Sequence, residues 1–447
     1  MKLLQKPFII FSPISESGYS VSPTPVALKK SHTISLLSFG AALSFFSSNS
    51  NPHEISIFYW VKKNFIDNFK TIFPILGIEQ DPAEIKRIID YGAIIDTLIK
   101  LPPDSLEKIE IQMVKHLIRK RILEKYRLLD TYYLIAIDAT QNLMFKGHHC
   151  DHCLRKKTGF DESGEPVYSY YHYVLEAKLV TPDGLTVSVM SEFIENESPD
   201  VSKQDCELNA FYRLAPRLKN YFPKTNFCLL LDSLYANQNV FNRCRTFSWQ
   251  YMIRFKQGSI PTVFQEYLDC LPFFSENNEK HPVNKNKRQD FRWVNDIEYQ
   301  GNNLHILECN ETVIAKNENP KTTKFIWISS FKISELNYEK LANKGGRCRW
   351  KIENQGFKKQ KKEGYGLEHA YSLDCNAIKC FYYFLQIAYS INQLIEHGDL
   401  IGDIPKKYGS IKNFTAFFWE AFVNHLIEPT KIQQIMSMPF QIRFNSS

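Results

Sequence analysis

Two short apolar runs, each followed directly by an aspartate, place the strongest limit on how this chain can fold. Residues 132–137 (YYLIAI) precede Asp138, and residues 226–231 (NFCLLL) precede Asp232. Short runs without polar alternation are typical of strands buried on both faces of a sheet. We therefore predict an α/β protein in which two core strands each end at a carboxylate.

The chain between and after these runs continues the α/β pattern. Residues 167–180 and 185–194 are rich in Val and Tyr, and Pro182-Asp183-Gly184 separates them, which predicts an antiparallel hairpin. Further along we predict helices over 202–220 and 237–246 and a strand over 250–255. The expected order is three strands, a helix, a strand, a helix and a strand.

The rest of the chain divides by composition. Helical signals run from 33 to 130, with helix starts at Asp81 and Asp104, and a strongly apolar helix is predicted over 376–396. We predict a poorly ordered N-terminus (1–32), a helical and DNA-binding region (33–130), the first part of the core (131–256), a β-rich insertion (257–340), the last part of the core (341–396) and a helical tail (397–447).

Cysteine usage and the N-terminus favour a cytoplasmic protein. The ten cysteines are scattered, several of them in apolar runs, which is typical of reduced thiols and not of a disulfide framework. Residues 33–47 are apolar but too short to cross a bilayer, and the first residues lack the apolar core of a signal peptide. We therefore expect no membrane contact.

Clustered cations indicate a phosphate-bearing partner. The formal net charge is +7, and residues 344–362 are rich in Lys and Arg with Glu353 as their single acid. A helix after Gly345-Gly346 would place Arg349 and Glu353 on one face, which on its own also describes a solvated basic helix. A second cluster, at the end of a predicted helix, either complements the helix dipole or contacts DNA phosphates, and it contains Arg119, Lys120 and Arg121.

Three carboxylates stand out by position. Asp138 and Asp232 end core strands, and Glu353 lies on the late helix. Hard oxygen ligands of this kind hold Mg²⁺ or Mn²⁺, and paired ions of this type serve phosphoryl transfer. The alternative for each aspartate is a local role as a cap of the following loop.

These residues resemble the insertion-sequence DDE transposases whose last motif is Tyr-x2-Arg-x3-Glu-x6-Lys. The matching pieces are AIDAT around Asp138, LLLDSLYAN around Asp232 and RWKIENQGF around Glu353, within a resemblance that covers about residues 80–395. The resemblance implies an RNase H-like core of mixed sheet and flanking helices, interrupted by a β-rich insertion. It also implies divalent metal, cutting and joining of double-stranded DNA at transposon ends, and a homodimer acting on paired ends.

Carried over residue by residue, the resemblance makes Asp138, Asp232 and Glu353 the catalytic and metal-binding triad. Arg349 matches the signature Arg, whereas Gly346 stands at the signature Tyr position. Gln360 stands at the signature Lys position, with lysines on either side. The predicted DNA contacts around the Glu are Arg349, Lys351, Lys358, Lys359, Lys361 and Lys362. Tyr235 follows Asp232 where an aromatic is common in the family, and it either stacks on a displaced base or packs in the core.

A histidine- and cysteine-rich stretch follows the first core strand. Residues 148–153 (HHCDHC) contain the CxxC pair Cys150 and Cys153. A structural Zn²⁺ at this pair would need ligands from among His148, His149, His152 and His172. Because the chain has no second CxxC at the spacing of a zinc ribbon, thiols without metal are the default interpretation.

Three functions remain open from the sequence. An active transposase fits the intact triad. A transposase-derived protein that binds DNA without cutting it fits Gly346 and Gln360. A metal-dependent nuclease would share the triad without needing paired ends.

Overall fold

A computed structural model describes residues 67–68, 70–72, 91–199, 201–273, 278–284, 287–314, 319–363, 365–399, 407–437 and 444. The predictions for 1–32, for the helix start at Asp81 and for most of 33–90 lie outside these residues. The chain forms two compact units, one of residues 1–122 with 358–447, the other of residues 123–357. The predicted segments 33–130 and 341–396 each contribute to both units.

The described part of the second unit contains one mixed sheet of ten strands. The strands, in chain order, are β1 Tyr133–Phe145, β2 Leu154–Phe160, β3 Pro166–Val180, β4 Thr186–Ile194, β5 Phe227–Leu231, β6 Gln250–Arg254, β7 Asn278–Asn284, β8 Lys287–Tyr299, β9 Asn302–Val313 and β10 Lys321–Ser329. They lie in the order β2-β3-β1-β5-β6-β10-β9-β8-β7, and β4 pairs with β3.

The predicted core strands are confirmed. β1, β5 and β6 are parallel neighbours, and residues 134–137 of β1 and all of β5 are buried. The predicted hairpin is β3 with β4, which pair antiparallel, and its turn contains Gly184 at φ 104°. Glycine adopts this left-handed conformation without a steric penalty.

Two features of the sheet differ from the sequence prediction. β1 continues to Phe145, past the predicted end at Ile137, because the residues after Asp138 still pair antiparallel with β3. β2 was not predicted, since its residues are mostly exposed and polar and carry no apolar period. In both cases backbone pairing with a neighbouring strand, and not side-chain hydrophobicity, determines the strand.

Within residues 257–340, which the sequence analysis predicted to be a β-rich insertion, the structure places strands β7 to β10 and a helix that was not predicted. These strands continue the central sheet, because β10 pairs antiparallel with β6 through Ile328 and Ile253. β10 then pairs with β9, and β9 with β8.

The longer helices surround the sheet or form the first unit. In chain order they are α1 Tyr91–Lys100, α2 Pro103–Arg119, α3 Glu207–Tyr221, α4 Gln238–Thr246, α5 Pro261–Cys270, α6 Cys375–His397, α7 Ile411–Asn424 and α8 Pro429–Ser437. Short 3₁₀ helices occupy Glu124–Tyr126, Ser233–Tyr235 and Leu271–Phe273. In the second unit α3 packs on β4, α4 on β6 and α5 on β8.

The predicted apolar helix is α6, which is the core of the first unit and packs on α1 and α2. Its Asn376 donates from Nδ2 to the carbonyl oxygens of Leu98, Ile99 and Leu101 at 2.9, 3.0 and 2.8 Å. These bonds satisfy backbone carbonyls at the end of α1, where no following helical turn supplies amide groups to donate to them. Within the described residues, no helix combines the length and the apolar character needed to cross a bilayer.

Candidate active site

Asp138 and Asp232 meet because their strands are parallel neighbours. The register pairs Ala136 of β1 with Leu230 of β5, so two residues further along each strand Asp138 comes opposite Asp232. Burial raises the pKa of Tyr235 well above its ordinary value, and the negative charges of Glu207, Asp138 and Asp232 raise it further. The two aspartates thus lie on neighbouring strands, and the charges of both act on Tyr235.

Each aspartate also accepts a local hydrogen bond, but only Asp232 caps a following element as the capping interpretation predicted, because β1 continues past Asp138. Asp232 Oδ1 accepts from the Leu234 amide at 2.8 Å, at the start of a 3₁₀ helix. Asp138 Oδ1 accepts from the Ala139 amide at 3.1 Å. Each of these bonds uses one carboxylate oxygen, so a local cap and a ligand role are compatible.

Arg349 links Asp138 to Glu353. Its Nη1 donates to Asp138 Oδ2 at 3.3 Å, and its Nη2 donates to Glu353 Oε1 at 2.9 Å. The Arg349 side chain is 10% exposed and that of Asp138 16%, whereas Glu353 is 41% exposed. A single guanidinium thus connects two carboxylates more than two hundred residues apart, with Glu353 at the open side.

Asp138 carries a perturbed proton affinity. Burial is the main cause that raises its pKa to about 7. The positive charge of Arg349 lowers the pKa, whereas the negative charges of Glu353 and Glu207 and a hydrogen bond with Glu353 raise it. A positive charge added next to Asp138 would stabilise the ionised form of its carboxyl group.

Glu207 is a fourth carboxylate that the sequence reasoning did not identify. It lies in the first turn of α3 and accepts a hydrogen bond from Tyr235 Oη at 2.8 Å. Burial raises the pKa of Glu207, the Tyr235 bond and Arg349 lower it, and the charge of Asp232 raises it. Glu207 lies within residues 202–208 (SKQDCEL). An acid in the first turn of a helix is common, so the local sequence does not indicate that Glu207 belongs to a site.

Glu353 lies on an irregular helical run, here called the Glu353 segment (residues 338–362). Its parts are an α-helical turn Tyr338–Lys340, a π-helix Leu341–Gly345, a 3₁₀ helix Gly346–Arg349, a π-helix Ile352–Phe357 and an α-helix Lys358–Lys362. The predicted helix over 344–362 is therefore helical but not a regular α-helix. π-helical turns are rare and occur frequently at functional sites.

Two glycines of the Glu353 segment pack closely against the sheet. A Cβ at Gly346 would lie 2.5 Å from the Trp327 indole, and one at Gly345 would lie 2.7 Å from Met252 Sδ. Trp327 is on β10 and Met252 on β6. At Gly346 the segment therefore lies closer to the rigid Trp327 ring than a side chain would allow, whereas at Gly345 the contact is with a flexible side chain.

The structure shows what surrounds Gly346 and Gln360, the two positions that differ from the signature of the transposases that the sequence resembles. Trp327, which is 3% exposed, fills the space beside Gly346 where a signature Tyr would begin. Gln360 is fully buried and exchanges amide hydrogen bonds with Gln386 of α6 at 2.7 and 3.4 Å. The Gln360 side chain is therefore part of the core of the first unit and not a phosphate contact.

The predicted cationic contacts differ in their availability. Lys359 and Lys361 form ion pairs with Glu396 and Glu368 at 3.2 and 2.9 Å, and Lys351 is half-buried. Arg349 is buried against the carboxylates. The exposed members of the predicted set are Lys358, Lys362, Arg119, Lys120 and Arg121.

Tyr235 is a core residue. It has no exposed surface, and its ring meets that of Phe211 edge to face at 5.3 Å. Its hydroxyl donates a hydrogen bond to Glu207. Of the two interpretations of Tyr235, base stacking and core packing, the buried position favours packing, and we do not propose Tyr235 as a DNA contact.

The predicted CxxC pair is a separate cluster. Cys150 and Cys153 lie in the loop between β1 and β2, next to His172 of β3. His172 pairs with Leu143, five residues beyond Asp138 along β1, which is roughly 16 Å at the rise of a strand. These thiols are therefore not ligands of the carboxylate site.

A groove of about 690 Å³ opens beside Glu207. Its lining includes Lys156 and Lys157 of β2 and Tyr171 and Tyr173 of β3, and both lysines are exposed. Cations with aromatic rings are a typical surface for a nucleic-acid strand. Comparison with protein-family models and with curated protein sequences finds no match to the chain.

Proposed function

We propose that this protein is a DDE transposase that cuts and joins DNA at transposon ends with Mg²⁺ or Mn²⁺. The observation that carries the proposal is that Arg349 joins Asp138 to Glu353, while the parallel register of β1 and β5 brings Asp232 beside Asp138. A partly buried group of like charges is unfavourable in itself and is retained where it binds a cation. The transposase reaction comes from the resemblance of the motifs around these residues.

The strand order supports an RNase H-like core within this proposal. β4, β3 and β1 are antiparallel neighbours, and β5 and β6 follow in parallel after α3 and α4. In this interpretation β7 to β10 are the insertion between the second Asp and the Glu. The proposed core ends with the Glu353 segment packed on β6 and β10.

The donors of the site fit a hard divalent cation. Asp138, Asp232, Glu353 and the neighbouring Glu207 offer only carboxylate oxygens, which suit Mg²⁺ and Mn²⁺ better than Zn²⁺. Burial, with the neighbouring acids as a smaller cause, raises the pKa of Asp138, so a bound cation would stabilise its charged form. When bound, such ions would activate the attacking oxygen and stabilise the leaving oxygen of the phosphodiester.

The remaining residues of the site have supporting roles in the proposal. Arg349 holds Asp138 and Glu353 in position, and it is too buried to bind an end phosphate as well. DNA would be held by exposed cations, which are Lys156, Lys157, Lys358, Lys362, Arg119, Lys120 and Arg121. The reaction would be cleavage by water and then attack by the freed 3′-hydroxyl, without a covalent enzyme intermediate.

Two other functions each have an observation in their favour. A DNA-binding protein without strand chemistry is favoured by Gln360, because its burial removes the signature cation. A simple nuclease is favoured by the carboxylate cluster alone, which does not require two DNA ends. Both are compatible with DNA binding by the same cations, so activity measurements must separate them.

The direct test is cleavage of DNA that carries the element's own flanking ends. We expect Mg²⁺- or Mn²⁺-dependent cleavage by the wild type and its loss, with end binding retained, in Asp138→Ala, Asp232→Ala and Glu353→Ala. Glu266→Gln, at an exposed acid on α5, is the matched control and should cut normally. Metal-independent cleavage, or activity in any of the three alanine variants, would contradict the assignment.

A further inference from the structure

Three ligand atoms near the end of β1 form a nearly equilateral triangle. Cys150 Sγ and Cys153 Sγ are 3.5 Å apart, and each is 3.5 Å from His172 Nε2. Zinc binds sulfur at about 2.3 Å and imidazole nitrogen at about 2.0–2.1 Å, so the edges of a tetrahedral site measure about 3.3–3.8 Å. The triangle therefore already has the dimensions of three zinc ligands.

His149 supplies a fourth ligand from the same loop. One ligand atom from each of His149, Cys150 and His172 lies within 4.8 Å of the other two, and the His149 ring is held by stacking on Phe145 at 4.2 Å. The other two histidines of the stretch are engaged elsewhere. His148 packs on Tyr170, and His152 Nδ1 lies 2.9 Å from the Asn196 carbonyl oxygen.

The geometry points to a structural Zn²⁺ site formed by His149, Cys150, Cys153 and His172. Two thiolate sulfurs and two imidazole nitrogens are a ligand set that zinc prefers, and three of the four already have the spacing of a tetrahedral site. Binding replaces the two thiol protons, so the two thiolates neutralise the charge of the ion. The site has four protein ligands and no position for a substrate, which makes its role structural. Its existence does not depend on the proposed function.

The position of the site connects it to the carboxylates. Asn196 donates to the carbonyl oxygen of Cys153 at 2.9 Å and accepts at its side-chain oxygen from the Asp205 amide at 3.1 Å. Asp205 in turn accepts from the Cys206 amide at 2.9 Å, one residue before Glu207. The zinc loop thus supports the chain segment from which Glu207 reaches the carboxylate site. This consequence, unlike the site itself, rests on the proposed function.

The test is to purify the full-length protein without chelators and to measure its metal content by inductively coupled plasma mass spectrometry. We expect one zinc per chain in the wild type and in two matched controls, Cys206→Ser at an exposed cysteine and His148→Asn at an exposed histidine. Zinc should fall to background in Cys150→Ser, Cys153→Ser and His172→Asn. Full zinc content in any of these three variants would overturn the proposal.

A second measurement uses only the wild type, in case the variants do not fold. Mercurial modification of the thiols should release one zinc per chain to a colorimetric chelator. In a separate sample that a chelator has freed of zinc, Co²⁺ added to the unmodified thiols should give the visible absorption of a tetrahedral thiolate site. A zinc-free protein whose intact mass shows a Cys150–Cys153 disulfide would contradict the site and identify a redox pair instead. Neither result depends on DNA cleavage, so failure here is distinguishable from failure of the transposase proposal.

Discussion

At the scale of single residues, the site is a problem of charge. Asp138 is buried among Glu353 and Glu207, and Arg349 is the cation placed directly between two of these acids. The positive charge of Arg349 does not offset the combined effect of burial and neighbouring acids, so the pKa of Asp138 stays raised. The unfavourable free energy stored here should appear in the stability of the metal-free protein.

The first prediction concerns Asp138→Asn. The pKa of Asp138 rises from 3.8 to about 7 on folding, so between these values the folded protein binds a proton that the unfolded chain has released. The free energy of unfolding therefore falls as the pH rises through this window, and the loss is complete above about pH 7. Asp138→Asn should unfold at a higher temperature than the wild type at about pH 8 and should lose that advantage near pH 4.

The size of this effect follows from about 1.4 kcal/mol per pKa unit, so it is on the order of a few kcal/mol. Thermal unfolding at the two pH values, without Mg²⁺ and without chelator, measures it. Addition of Mg²⁺ at the higher pH should stabilise the wild type more than Asp138→Asn. An advantage of the variant that is equal at both pH values would show that Asp138 keeps an ordinary pKa.

The second prediction separates charge from hydrogen bonding at Glu207. Glu207→Gln keeps an acceptor for Tyr235 but removes a negative charge, so the Mg²⁺ concentration for half-maximal cleavage should rise by about tenfold. Tyr235→Phe removes the hydrogen bond and keeps the charge, so it should change stability more than metal dependence. If Tyr235→Phe reproduced the metal effect and Glu207→Gln did not, Glu207 would have only a structural role.

At the scale of elements, the Glu353 segment depends on how closely it can approach the sheet. Gly345 and Gly346 bring the backbone against Met252 and Trp327. At Gly356, by contrast, an added Cβ would meet Lys178 at 3.4 Å, an ordinary contact distance. Gly346 and Gly356 therefore form a matched pair within one segment.

The third prediction uses that pair. Gly346→Ala should lower the free energy of unfolding by about 1–3 kcal/mol, because Trp327 has to move or the segment has to shift. Gly356→Ala should change it by less than about 1 kcal/mol. Denaturant unfolding measures both. Gly346→Tyr, which would restore the family signature, should disrupt the segment, and a fully stable Gly346→Tyr protein would contradict the packing argument.

The fourth prediction concerns β2, the exposed basic strand beside the groove. Lys156→Glu should weaken DNA binding and reduce the slope of log affinity against log salt by about 0.9 for each phosphate that the variant no longer neutralises. Lys321→Glu, at an exposed lysine at the start of β10, is the matched control and should leave the slope unchanged. Binding titrations at several salt concentrations decide between a groove that holds DNA and one that does not.

At the scale of the whole molecule, the chain forms two compact units, and the carboxylates belong to one of them. The exposed cations proposed to hold DNA are in both units, with Lys156 in the second unit and Arg119 and Lys362 in the first. The proposed homodimer on paired ends is a property of the full chain, and it distinguishes a transposase from a nuclease.

The fifth prediction tests that distinction. Initial cleavage rates should rise more steeply than in proportion to protein concentration, and DNA with two element ends should be cut faster than DNA with one end scrambled. A dimer that must bring two ends together before cutting has both properties. Equal rates on the two substrates, in direct proportion to protein concentration, would favour the nuclease.

The sequence alone determined the parts of this protein that depend on local pattern. The buried strands β1 and β5, the hairpin of β3 and β4 and the core helix α6 are visible as apolar runs and periods, because burial selects side chains along a continuous stretch. The placement of Asp138 and Asp232 on parallel neighbouring strands also followed from the sequence, although β1 continues past Asp138 and does not end there.

Tertiary structure decided what depends on segments that meet only after folding. The placement of α3 brings Glu207 to the carboxylates, and β2 forms only because it pairs with β3. Trp327, on a distant strand, occupies the space in which a side chain at position 346 would begin, which is why a glycine fits there. The sequence likewise offered four histidines as ligands of the proposed zinc site, and only the fold shows that β3 brings His172 to the loop. Such contacts cannot be predicted from the local sequence, because each one depends on the residues of two segments that are far apart in the chain.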